Sequence, residues 1–200
     1  MMGDGYTITN LNAGSFSNKV TSFINVMFGI SPWDAYQNAA NVYRVDIVSN
    51  QQGADYEDNS PANGGTLKDT YLSGAFWVGG TERCCFLTGD GTSRAFAAAD
   101  DLVGIGVWDE ILVFVNSTKY GGCGGAVGVS SVNSSSDEVQ VHEFGHSFAG
   151  LADEYDYGSS STNCPGSTAA NADCGLNFPN VKWDAWITPG TPMPTPDTST

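Results

Sequence analysis

Positive charge is scarce in this chain: 7 lysines and arginines stand against 22 acids, for a net charge of −15. Nucleic acid and anionic membrane surfaces would repel such a protein, so neither is expected as a partner. No run of 18 apolar residues occurs, which excludes a segment able to cross a bilayer as a helix. The start, Met1-Met2-Gly3-Asp4-Gly5, has no basic stretch ahead of an apolar core, so no signal peptide is read there. Five cysteines contain no C-x-x-C pair, which argues against a four-cysteine zinc site. Scarcest of all is histidine, present twice.

Both histidines fall in one run, His142-Glu143-Phe144-Gly145-His146, of the form H-E-x-x-H. On a helix, positions i and i+4 share a face, so both imidazoles can reach one metal ion. Glu143, beside the first ligand, is placed to hold a water at the metal and take its proton. Two histidines and a water leave one position of a tetrahedral zinc open. Asp153 is the first candidate for it and Glu154 the alternative, since Gly150 lets the chain turn sharply after the helix. Candidate donors to the oxyanion are Tyr155, Tyr157 and Tyr120. A calcium module built on Asp55, Glu57 and Asp58 is the competing metal reading, because oxygen-rich acidic loops suit that ion.

Two hundred residues at 40% hydrophobic content suit one domain with a sizeable core. Val20, Phe23, Ile24, Met27 and Phe28 recur at helical spacing, which predicts a helix over 17–29 with Ser17 as N-cap and Gly29 as stop. A short second helix is expected from Pro32 to about Ala40. β-Branched and aromatic residues predict a strand over 41–48. A long polar loop should follow over 49–68, then a short extended piece over 70–76 and a helix over 94–103. The apolar run 110–116 predicts a buried strand. Such a strand, at an edge beside the metal cleft, could pair with an extended substrate, and Gly121 and Gly122 beyond it would admit substrate backbone closely. The metal helix is expected over 138–149, with N-capping oxygens from Ser134, Ser135, Ser136 and Asp137. Residues 189–200 carry four of the eight prolines and read as a tail or linker. No internal repeat is visible, and the alternation of helix and strand favours a mixed α/β fold. Cys164 and Cys174 bracket a polar loop that a disulfide would stabilise. Cys84, Cys85 and Cys123 leave one further bridge and one spare thiol, and an oxidising compartment follows.

The string from His142 through His146 to Ser147-Phe148-Ala149-Gly150-Leu151-Ala152-Asp153-Glu154-Tyr155 resembles the IgA peptidase family of zinc metallopeptidases. Other runs look like that family in the same order: Gly3-Asp4-Gly5-Tyr6-Thr7, Ser31-Pro32-Trp33, Asn41-Val42-Tyr43-Arg44-Val45, Ser49-Asn50-Gln51-Gln52-Gly53-Ala54-Asp55, Asp69-Thr70, Glu82-Arg83, and Val115-Asn116 with Tyr120-Gly121-Gly122. The resemblance implies a metzincin-like α/β fold with a mixed twisted sheet and an active-site helix. It implies a zinc-dependent endopeptidase, secreted or at the cell surface, that acts on extracellular proteins. By position, His142, His146 and Asp153 would be its zinc ligands and Glu143 its catalytic residue; Asn116, Tyr120, Gly121, Gly122 and Tyr155 are, on this chain's own residues, the candidates for oxyanion or substrate contact. Metzincins proper place the third ligand six residues after the second histidine, which here is Ala152, and Met193 matches the family's methionine turn poorly. The expected organisation is a catalytic domain over 1–188, incomplete at both ends, and a tail over 189–200. The alternative is a catalytically inactive structural or adhesive extracellular module on the same scaffold.

Overall fold

A computed structural model describes residues 1–56, 64–153, 168–173 and 181–191. The chain divides into two compact units, Met1–Phe148 and Ala149–Thr200. The first unit is the mixed α/β body. Its four-stranded sheet runs in the order β1 (Met2–Asp4), β5 (Leu112–Val115), β7 (Gly128–Ser131), β6 (Gly122–Cys123). β1, β5 and β7 are parallel and β6 is antiparallel to β7, so this sheet is mixed. A second, three-stranded sheet pairs β2 (Asp55–Tyr56) with β3 (Gly74–Phe76), and β3 with β4 (Phe86–Leu87).

Strand β5 is buried along its whole length because helices cover both faces of its sheet. Alternate residues point to opposite sides. Val113 and Val115 meet Ala95, Ala98 and Ala99 of helix α4 (Gly91–Leu102). Leu112 and Phe114 meet Phe16, Val20, Phe23 and Met27 of helix α2 (Ser15–Met27), together with Phe144. Those four α2 positions share one helical face, and each such side chain contributes about 1.5–3 kcal/mol by leaving water.

Several expectations are corrected here. Strand β5 lies between β1 and β7 and is not an edge, so it cannot take up an extended peptide; the edge beside it in sequence is β6. Where a strand lies in a sheet is set by pairings far apart in sequence, which an apolar run does not encode. Residues 41–48 form no strand: Val45 makes one bridge to Met2. Their alternation is real, since Val45, Ile47 and Ser49 are buried between exposed neighbours, but it reflects half-burial without a ladder. Helix α2 begins at Ser15 with Gly14 as N-cap, and Ser17 lies inside it, donating its hydroxyl to Gly14 O at 3.0 Å. The piece after Pro32 is one α-turn, α3 (Trp33–Tyr36), continued by a 3-10 turn over Gln37–Ala39. Helix α1 (Ile8–Asn12), closed by a Thr7–Asn10 capping box, was not foreseen.

Asp4, at the end of β1, ties the two sheets together. It is fully buried. Its Oδ2 accepts from Thr70 Oγ1 at 2.8 Å and from Gly74 N at 2.7 Å, while Oδ1 accepts from Leu72 N at 2.7 Å. Replacing Asp4 with Asn turns an amide N–H₂ toward donors that need an acceptor. The expected cost is about 2–3 kcal/mol, read as a lower urea midpoint at unchanged slope. An unchanged midpoint would show that these hydrogen bonds do not hold the sheets.

Candidate metal centre

Helix α5 (Ser136–Ala149) carries His142, Glu143 and His146. Its N-terminus is pinned to α2. Lys19 Nζ meets Asp137 Oδ1 at 2.6 Å, and Ser22 Oγ donates to Asp137 Oδ2 at 2.7 Å. Asp137 was expected to cap the helix; instead it joins two helices, and its charge in the first turn still suits the helix dipole. The rotation of α5 is set by Phe144, whose ring meets Trp33 edge-on at 5.1 Å and stacks on Phe148 at 4.8 Å. With that side facing the core, residues two positions away point elsewhere.

His142 and His146 then converge. Their Nε2 atoms lie 2.9 Å apart, with ring planes at 89°. Two ligands of one tetrahedral ion at about 2.0–2.1 Å each would sit about 3.3 Å apart, within a few tenths of that spacing. The donor chemistry and the convergence therefore fit a zinc-type ion. His142 is exposed, His146 half-buried and Glu143 buried.

The edge strand lies directly on this helix. A Cβ at Gly122 would come within 2.7 Å of Glu143 Oε1 and 2.6 Å of Val139 Cγ1. One at Gly124 would come within 2.5 Å of His146 Cβ. Only a backbone without side chains can approach so closely. Gly121 faces the other way, toward Phe76 and Cys85. Sequence reasoning named Gly121 and Gly122 but missed Gly124, although the run Tyr120-Gly121-Gly122-Cys123-Gly124-Gly125 carried the signal.

The other candidates are placed as follows. Asn116 Nδ2 donates to Gly5 O at 3.0 Å, and Tyr120 is 50% exposed. Asp153 belongs to the second unit and is half-buried. Next to it, Ala152 N–H donates to Asn171 Oδ1 at 2.9 Å, and Asn171 Nδ2 donates to Ala152 O at 2.8 Å. Gly150 takes φ +61°, the left-handed conformation of a helix stop. Glu154, Tyr155, Tyr157, Cys164, Cys174 and Met193 lie outside the described residues, as do Glu57 and Asp58. Of the calcium trio, Asp55 is in β2, where its carboxylate accepts from Lys68 N–H. Burial pushes the Asp55 carboxyl above the usual carboxylate range.

Cys84 and Cys123 form a disulfide across 39 residues, and Cys85 is the spare thiol. Burial, then the nearby charges of Asp4 and Glu143, pushes the Cys85 thiol far up and keeps it protonated. Among the described residues no helix is long and apolar enough to cross a membrane.

A family model described as IgA Peptidase M64 matches residues 1–200 of the chain. No curated protein matches it.

Proposed function

The chain belongs to the IgA peptidase M64 family, and on that premise we propose a zinc-dependent endopeptidase that hydrolyses peptide bonds of extracellular proteins. The observation that carries the reading is the convergence of His142 and His146 on one point, with the Glu143 carboxylate buried beside them. His142 and His146 hold the metal, and Asp153 completes the set as third ligand. Asp153 follows His146 by seven residues along the chain, with Gly150 between them. Glu154 is the alternative acid. When bound, zinc supplies a Lewis acid that brings the pKa of water down to about 7.

Glu143 takes the proton of the attacking water and delivers it to the leaving amine. The glycines of β6 lie against the helix that bears Glu143, where substrate backbone can approach closely; the outward N–H of Gly122 is held by Arg83 O, so substrate does not extend the sheet there. Gly122 and Gly124 keep the protein's own backbone against the helix. Tyr155 or the exposed Tyr120 donates to the developing oxyanion. Asn116 is the weaker candidate, since its amide is committed to Gly5. A secreted or surface location agrees with the Cys84–Cys123 bridge, because disulfides persist in oxidising surroundings.

The test is metal content paired with a cleavage profile on casein and a peptide library. About one zinc per chain is expected after dialysis, with cleavage lost to a chelator and regained on adding zinc. Calcium retained in place of zinc, or cleavage indifferent to the chelator, would overturn the reading.

A further inference from the structure

We infer that the Cys84–Cys123 disulfide positions strand β6 against Glu143 and His146, so that reducing it releases the glycine-rich backbone beside the site while the metal donors stay in place. The inference rests on the peptidase reading above for its functional consequence, but its structural part stands alone.

Strand β6 has little else to order it. It is two residues long, and glycines occupy positions 121, 122, 124 and 125 around Cys123. Glycine loses more backbone freedom on ordering than any other residue. Its ladder to β7 covers two residue pairs, Gly122 with Ser130 and Cys123 with Val129. Two further backbone bonds flank it: Gly122 N donates to Arg83 O at 3.0 Å, and Ser131 N donates to Gly121 O at 2.9 Å. One of these depends on the residue next to Cys84, so the bridge and the hydrogen bond act on the same pair of segments.

Cys84 is the firm end of the tether. It is buried, its N–H donates to Thr81 O at 3.0 Å, and Cys85 beside it is wholly buried ahead of β4. The contacts at stake are tight: the gaps above Gly122 and Gly124 admit no Cβ, so a small drift of β6 separates it from Glu143 and His146. The histidines themselves are fixed by other means, the Lys19–Asp137 pair and the Phe144–Trp33 contact. Cys84 and Cys123 are thus positioning residues. In reduction by a low-molecular-weight thiol, the Cys84–Cys123 bond breaks, two thiols are oxidised to their disulfide, and each protein sulfur ends protonated.

The experiment compares zinc-loaded protein before and after reduction with a trialkylphosphine, which is then removed by desalting. Amide exchange, zinc content and cleavage of a casein-derived peptide are measured on each. Exchange of amides 121–125 is expected to quicken by about tenfold or more while those of α5 and the zinc content hold. KM for the peptide should rise by about tenfold, more than kcat falls. A Cys84→Ser/Cys123→Ser double variant should reproduce the reduced behaviour and ignore the phosphine. Unchanged exchange over 121–125 after both thiols are shown free would overturn the inference, as would loss of α5 protection and zinc in step with it. Absence of cleavage by the oxidised protein would count against the peptidase reading instead, and the exchange result would still decide the clamp.

Discussion

Glu143→Gln should lower peptide turnover by about 10³–10⁴-fold with zinc still bound, the largest single-residue effect expected here. The amide nearly matches the carboxylate in size, so the packing against Gly122 survives; what disappears is the group proposed to accept the proton. Its burial makes the comparison clean, because bulk buffer has limited access to take over the transfer. The loss should fall on kcat and kcat/KM alike, as expected for an interaction made in the transition state. Turnover within tenfold of the parent in zinc-loaded Glu143→Gln would remove Glu143 from the mechanism.

The second large effect concerns the donors. His146→Ala should weaken zinc binding by about 10³-fold, since it removes one of the three ligands proposed above. Alanine is suited to this position because it keeps the Cβ on which Gly124 rests. The apo fold should therefore persist, and the readout can be thermal. Zinc at about 1,000 times its Kd would stabilise the parent by about 4 kcal/mol, and the same concentration should barely move the variant. His142→Ala, at an exposed position, should behave in the same way. A full zinc-induced shift in either variant would place the metal elsewhere.

The grouping of the candidate metal donors was legible in sequence because it is local. His142, Glu143 and His146 lie within about one helical turn, and a helix of any origin brings them to one side. The helices α2, α4 and α5 and the strand β5 were legible for a related reason, as each carries its own periodicity or unbroken apolar run. Their ends were read less well. Gly14 rather than Ser17 caps α2, since what caps a helix depends on how the preceding chain enters it.

What failed, or could not be asked, was non-local. Residues 41–48 alternate as a strand should, yet a ladder needs a neighbour along its length and Val45 alone finds one. Three cysteines offered one bridge, and proximity in the fold selected Cys84 with Cys123 while leaving Cys85 inside the core. The apolar run of β5 suggests a substrate-binding edge, but β1 and β7 flank it, and the end of the sheet falls to the two-residue β6, whose glycine-rich run shows no strand periodicity.

By itself, then, the sequence determined which atoms could bind a metal and move a proton, because a helix's geometry is fixed by hydrogen bonds between near neighbours. Only the tertiary structure decided which backbone lies against those atoms, because the pairing of β6 with β7 and of Cys84 with Cys123 depends on packing between segments distant along the chain.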